Sequence, residues 1–365
     1  MATRTEQPGR RGFGAELRDA VTARSGVLVL AVLAIQLGFI GSYVGAFHDP
    51  TPHDIPVAVT VADGVPVAQR PAAQAAVDRA VGELDGLAGS PVHSRSGTSV
   101  ADARDSLADR DIDGVLVLNP AGSRDQLLVA GAGSAAVAEA LTTIVDRAEA
   151  AQQRQVTVTD VIPAGSGDAR GLSSFYLAVG WVVGGYLVAA LLGVSSGSRP
   201  ANRRRATIRL GALAVYAVAS GVLGALLIDA LVPAFDGHLL PLAALGALVV
   251  FASGAVTMGL QALLGVAGIG LVIILFVVLG NPSAGGPYPG VLLPAFWRVI
   301  GPWLAPGAAT TGIRGIAYFG GSGVGTALLV LAAYAVVGAG LALLASRARP
   351  APGHHLAPGA VAVAE

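Results

Sequence analysis

A set of uncharged apolar runs, each about as long as a bilayer crossing, limits what this chain can become. About 20 largely apolar residues in a helix span the hydrocarbon core of a membrane. The first run covers Gly26 to Ala46, and five more follow: Gly171–Gly193, Leu210–Val232, Leu239–Gly259, Ala262–Gly280 and Ser322–Ala345. The fourth and fifth come from one uncharged stretch, Leu239 to Gly280, which is too long for a single ordinary span. A tight turn is expected at Gly259-Leu260-Gln261; without it the count would be five. With 53% hydrophobic and 13% charged residues, the composition reflects lipid exposure rather than a large soluble core. The expected fold class is a polytopic α-helical membrane protein with six transmembrane helices. A small α/β external domain is expected between helices 1 and 2.

Arginine placement sets the expected orientation. Arg4, Arg10, Arg11, Arg18 and Arg24 precede the first span. Arg199, Arg203, Arg204, Arg205 and Arg209 lie between the second and third, and Arg347 and Arg349 follow the last. Six spans place all three groups on the cytoplasmic side, as the positive-inside rule requires, whereas five would put the final pair outside. The expected division is therefore a cytoplasmic segment 1–25, a first helix 26–46, an external domain 47–170, a membrane domain 171–345 and a disordered cytoplasmic tail 346–365. Val44-Gly45-Ala46 also resembles a signal-peptide cleavage site, and cleavage there would leave five spans. The apolar run is longer than a usual signal h-region, which favours a retained helix. A basic edge of this kind sits against anionic headgroups, so the arginines are not evidence for nucleic acid as a partner.

Between the first two spans, His48 to Arg170 carries 17 acids against nine arginines. Within it, Ile55–Val61 is short and β-branched and reads as a strand. Ala72–Leu84 has apolar residues at helical spacing, and a possible short strand follows. A polar helix is expected over Ala101–Asp109, a buried strand over Ile112–Leu118, and another strand over Leu127–Ala130. Ser134–Ala150 is the clearest soluble helix, and Val156–Ile162 is a last strand leading back to the membrane. Strands alternating with helices at this spacing indicate an α/β or α+β domain. Its expected core is Val57, Val59, Val115, Val117, Leu141 and Val145. The scattered acids read as solvated surface, with no nucleophile elbow or triad spacing among them.

The loop 281–318 is too apolar for an ordinary exposed connection and too rich in proline and glycine for a straight span. Val291–Ile300 fits either a short interfacial helix anchored by Trp297, or a re-entrant segment buried beside other helices. Trp303 and Tyr318 are also expected at headgroup depth. Arg298 and Arg314 are its two charges, suited to pairing with lipid phosphates or to lining the exit of a substrate path. Asp229, near the outer end of the third span, is a further candidate, because an acid in hydrocarbon is costly and suggests function, although at the interface it can simply reach water. Small-residue pairs at four-residue spacing, Gly41 with Gly45, Gly180 with Gly184 and Gly321 with Gly325, would allow close helix approach.

The chain has no cysteine, which excludes disulfides and thiolate metal sites. Its six histidines form no metal-ligand spacing, so neither a metal nor another cofactor is expected, and no catalytic residue is assigned. There is also no lysine, so a P-loop, which needs one to reach the β/γ-phosphates, is impossible.

One span, an α/β insertion opening with Asp54-Ile-Pro-Val-Ala-Val-Thr-Val-Ala-Asp-Gly64, and five further spans resemble the ABC-2-type permease superfamily, in the branch related to phage-infection proteins. Asn281-Pro282 with Gly285-Gly286, Leu293-Pro294-Ala295-Phe296, and Arg314 with Tyr318-Phe319 match motifs of that branch, and actinobacterial members are especially similar. The resemblance runs from about Gly26 to Ala345. It implies the membrane half of an exporter, working as a homodimer in the bilayer with ATP hydrolysed by a separate subunit. The cargo would be hydrophobic, lipid-like, drug-like or a cell-envelope molecule. Arg203, Arg204 and Arg205, with Phe13–Val21, form the candidate coupling surface for that ATPase. The competing expectation is a non-transport scaffold or receptor whose external domain binds a partner, a cell-wall component or a phage.

Overall fold

The computed structural model describes residues 22–346. The coupling segment Phe13–Val21 and the tail beyond Ser346, expected to be disordered, both lie outside the described residues. Five helices are long and apolar enough to cross a membrane, and together they mark a membrane-embedded protein. They are α1 (Ala23–Phe47), α5 (Ser173–Ser195), α6 (Arg203–Leu231), α7 (Leu239–Leu264) and α11 (Val324–Ala345). Between α1 and α5 the chain forms β1 (Ile55–Val61), α2 (Arg70–Asp85), β2 (Val92–Ser96), α3 (Val100–Ala108), β3 (Gly114–Leu118), β4 (Arg124–Val129), α4 (Ala135–Ala151) and β5 (Gln155–Asp160). Between α7 and α11 lie the short helices α8 (Ala267–Ile273), α9 (Ala295–Ile300) and α10 (Ala305–Tyr318).

The uncharged stretch 239–280 is divided, but not where the sequence suggests. Gly259, Leu260 and Gln261 lie inside α7, which runs on to Leu264 and ends at Gly265 with φ +67°. With ψ −139° as well, Gly265 adopts a backbone conformation open essentially to glycine alone, which turns the chain out of the helix, whereas the interior triplet stays helical. The next helical piece, α8 with a π-helical continuation over Ile274–Gly280, covers only 14 residues. At 1.5 Å per residue that is about 21 Å, shorter than a full crossing.

Central to the bundle is α7, packed against α5, α6 and α11. No water is available between helices in lipid, so association depends on close van der Waals contact, and small residues permit it. A methyl group on Gly259 would fall 2.8 Å from the Gly338 carbonyl oxygen and 2.9 Å from Leu341 Cβ. Gly224 and Gly246 leave a slot for the Trp181 indole, whose Nε1 donates to the Ser220 carbonyl at 3.1 Å. Of the expected pairs only Gly184 works this way, with a Cβ there 3.3 Å from the Tyr216 hydroxyl of α6; Gly41, Gly45, Gly180, Gly321 and Gly325 have open space where a Cβ would stand. Two buried hydroxyls of α7 are satisfied by their own backbone, Ser253 on Val249 at 2.8 Å and Thr257 on Ser253 at 2.7 Å, whereas Ser174 of α5 is buried without a partner. In contrast, α1 stands at the side of the bundle. It leans on the π-helical piece, where the Ser42 hydroxyl donates to the Val278 carbonyl, and leaves most of its apolar surface exposed.

The insertion is a five-stranded sheet in the order β2-β1-β3-β4-β5. β1 is parallel to β2 and β3, β3 and β4 form an antiparallel hairpin, and β5 is parallel to β4. Alternate residues of β1 and β3 serve two faces. Val57, Val59, Leu116 and Leu118 meet α2 and α4 on one side, and Ala58, Val115 and Val117 meet α3 on the other. β3 is therefore buried throughout and reads as a continuous apolar run rather than an alternating one. All six expected core residues are buried. Ser99 and Ser134 cap α3 and α4 by accepting from the backbone of Asp102 at 3.0 Å and Val137 at 3.3 Å.

Candidate functional site

The α/β domain is fastened to the membrane bundle by the segment that follows the π-helical piece. Leu292 enters the core between the sheet, α2 and α4, with Tyr288 and Val291 beside it. The His53 amide donates to the Val291 carbonyl at 2.9 Å, and Arg298 pairs with Asp54 at 3.5 Å. On the other side, Arg110 donates to the Thr311 carbonyl at 3.3 Å and lies 5.2 Å from the centre of the Phe319 ring. The Ser322 hydroxyl donates to the Asp109 carbonyl at 2.6 Å.

Arg314 sits at the centre of this junction. Its helix, α10, is packed against α5, α7 and α11 rather than lying on the surface, which is how irregular backbone within a membrane protein must be accommodated. The guanidinium is 4% exposed, and its Nη2 donates to the carbonyls of Gly171 at 3.3 Å and Gly285 at 3.2 Å. Among the described residues no carboxylate lies within ion-pair distance of it, and Nε has no partner. Nearby, Asp168 is buried and accepts from the Tyr318 hydroxyl at 2.7 Å and from the amide and hydroxyl of Ser173 at 2.9 and 2.8 Å. That carboxylate closes the start of α5 onto the end of α10. A small cavity of about 80 Å³ opens beside the cluster, walled by Arg110, Asp113, Ser134, Pro289, Arg314 and Phe319. Burial pushes the Asp113 carboxyl up to about 6, with Arg110 pulling the other way.

The six residues that the sequence picks out for a translocation path are thus not one group. Arg314 and Tyr318 meet around Asp168, which sequence reasoning passed over as one acid among many. Arg314 is turned into the protein, so it does not reach lipid phosphates; its neighbours are backbone carbonyls. Trp297 and Arg298 form a second cluster, where the indole packs with Ala46 and Leu293 and contacts Phe296 at 4.9 Å. Trp303 is 67% exposed, and only its backbone carbonyl is engaged, by the Tyr334 hydroxyl at 3.1 Å. Asp229 stands apart on α6 with its Oδ1 buried and unpartnered. Arg203, Arg204 and Arg205 occupy the exposed first turn of α6, where Asn202 caps the helix by accepting from the Arg205 amide at 2.9 Å.

A much larger space lies along the flank of the bundle. α5 and α6 enclose a side-opening cleft of about 740 Å³, lined by Tyr176, Leu177, Trp181, Tyr216, Leu223 and Ile228 among others. It runs from Ser173, next to the Asp168 cluster, to Tyr216, midway along α6. Its wall is mostly apolar, with Ser173, Tyr176, Tyr216 and Ser220 as polar points, and its volume suits a largely apolar molecule of drug or lipid-chain size.

No protein-family model matches the chain, and neither a curated protein nor a solved structure matches it.

Proposed function

We propose that this chain is the membrane subunit of an ABC-2-type export permease, moving a hydrophobic, lipid-like, drug-like or cell-envelope molecule out of the cell with energy from a separate ATPase. The observation that carries this reading is the apolar cleft between α5 and α6, open at the side where lipid would stand. A lateral opening of that size admits cargo dissolved in the bilayer, and one end of it reaches Ser173, whose hydroxyl donates to Asp168. In this reading the chain crosses the membrane six times, the 267–280 piece and the turns after it completing the fifth passage. All three arginine groups then face the cytoplasm, and the acid-rich α/β domain stands outside.

Three consecutive arginines at the start of α6 oppose the positive end of the helix dipole and one another, a local cost of about 0.3–1 kcal/mol each. Such a cost is tolerated where the charges meet anionic headgroups or an acidic partner surface, and Arg203–Arg205 therefore form the proposed contact for the ATPase. The functional unit is proposed to be a homodimer in the lipid bilayer, with no nucleic-acid partner, no cofactor and no catalytic residue of its own. The second reading, a membrane receptor or scaffold, draws on the firm seating of the α/β domain, which suits a fixed binding platform.

Ala219 is exposed and lines the cleft, so Ala219→Trp should fill it without disturbing the core. Cells with and without the chain are compared by untargeted lipid and metabolite profiling of cells and medium. The expected result is a lipophilic species exported only with the wild-type chain, and not with Ala219→Trp at equal abundance. Identical profiles in all three strains would remove the transport reading and leave the receptor.

A further inference from the structure

Outside the junction, the α/β domain holds a second polar cavity of about 210 Å³. It lies between α2 and the C-terminal turn of α4, over Leu118-Asn119-Pro120 at the end of β3. Ligands of open α/β sheets settle outside the carboxyl ends of their strands, because helices and loops diverge there and leave a crevice. The polar side chains around it are Arg79 and Glu83 of α2, Glu149 and Gln152 at the end of α4, and Arg154 before β5.

Most of these groups are bonded within the protein, Arg79 through its Nε alone. Arg154 holds Asp125 through two contacts of 2.5 and 2.6 Å and donates to the Asn119 carbonyl at 3.0 Å. Asp125 also accepts from the Asn119 amide at 2.7 Å. Gln152 donates to Glu83 at 2.6 Å, and Arg79 Nε donates to the Ala75 carbonyl at 3.1 Å. Glu149 differs. It is only 3% exposed, and its protonated carboxyl hydrogen-bonds to Asp125; once ionised, its Oε2 has no hydrogen-bond donor, only an ion pair at 3.5 Å with Arg154 Nε, which already donates to Asp125. Ionisation breaks the bond to Asp125 and leaves a buried carboxyl oxygen without a donor, at a cost of about 1–3 kcal/mol, so an outside donor reaching Glu149 through the adjoining cavity would favour the ionised form.

We propose that this cavity binds a small solute through a primary ammonium group donated to Glu149. With Asp125 matched by Arg154, and Glu83 balancing Arg79 at the rim, an ionised Glu149 leaves the pocket one negative charge in excess. An anion would face that carboxylate, and a neutral polyol would leave its charge uncompensated. An ammonium satisfies both the charge and the unmet acceptor, as charge-assisted bonds to carboxylates do. Burial, reinforced by Asp125, holds the Glu149 carboxyl up at about 7, against the opposing pull of Arg154. Binding of a cation therefore draws a proton off Glu149 near neutral pH. The site does not depend on the transport reading, since it is built only from groups within the α/β domain.

The test is calorimetry on the full chain in lipid nanodiscs, with putrescine and ethanolamine as ammonium probes, glucose as a neutral polyol and acetate as an anion. Saturable binding of an ammonium probe is expected. Titrations in phosphate and in MOPS at pH 7 should show release of about half a proton per site, the protonated share of a carboxyl that titrates near 7. Affinity should rise about tenfold between pH 6 and pH 8 as the ionised fraction grows. Glu149→Gln should weaken binding at least tenfold and abolish proton release, while Glu139→Gln, on an outward turn of α4, should change neither. Absence of saturable ammonium binding, equal binding by Glu149→Gln, or glucose binding as tightly without proton release would each overturn the assignment. If Glu149→Gln fails to fold, the pH dependence of the wild-type chain decides, and an affinity flat from pH 6 to 8 counts against the proposal.

Discussion

Arg314 places a charge among backbone carbonyls, with Asp168 nearby but committed to Tyr318 and Ser173. A buried carboxylate that accepts three bonds is costly to remove, because its donors are left unmatched. Asp168→Ala is expected to destabilise the chain by about 2–4 kcal/mol and Tyr318→Phe, which deletes one bond, by about 1–2 kcal/mol. Thermal unfolding in one detergent should rank them in that order, and equal effects would mean that Ser173 contributes nothing. Arg314 and Tyr318 were legible in the sequence as polar residues in an apolar loop. Asp168 was not, because it lies in a segment with 17 acids and no periodicity that sets one apart.

The two carboxyls with raised pKa values give the α/β domain a specific pH response. Asp113 and Glu149 hold their protons to about 6 and about 7 when folded, above their unfolded values. The folded state thus binds more protons between about pH 4 and 7, and stability falls as pH rises through that window. The melting temperature of the full chain should be lower at about pH 7.5 than at about pH 5, and Glu149→Gln should flatten the upper part of that slope. A melting temperature that climbs from pH 5 to 7.5 would contradict these assignments.

At the scale of elements, the strands and helices of the α/β domain were legible to within a few residues except β2, which was expected only as a possible short strand without bounds. Its signals are local: β-branched runs such as Ile55–Val61 and amphipathic spacing in Ala135–Ala151. The membrane helices were legible as apolar length, but their packing was not. Gly180 and Gly321 stand in open space whereas Gly259 touches Gly338, because motif spacing says nothing about which face of a helix meets a neighbour. The break after α7 was likewise misplaced by several residues, since a run without charge offers glycine alone as punctuation and this run has many. Gly259→Val should separate α7 from α11, costing about 3 kcal/mol or more through overpacking against backbone, whereas Gly180→Val should cost little. Yield of folded protein in detergent, compared by size-exclusion chromatography, checks the contrast.

On the scale of the whole molecule, the junction makes the α/β domain and the bundle one unit, and the proposed orientation puts that domain outside. The absence of cysteine makes this simple to probe. Ala72→Cys in the α/β domain should react with a membrane-impermeant thiol reagent on intact cells, and Ala201→Cys, beside the arginine cluster, only after lysis. The reverse pattern would invert the topology. The proposed orientation rests on arginine counts and needs no contacts, whereas the cleft between α5 and α6 depends on helix pairing and no pattern announces it.

The central claim, that this chain is the membrane half of an ATP-driven exporter, is tested most directly by quantitative mass spectrometry of proteins that co-purify with the gently solubilised, tagged chain. The account predicts a stoichiometric ATP-binding subunit whose hydrolysis depends on this chain and whose recovery falls when Arg203, Arg204 and Arg205 are replaced by glutamine. Reproducible recovery of the intact chain with no such subunit, or with an external partner in its place, would contradict it.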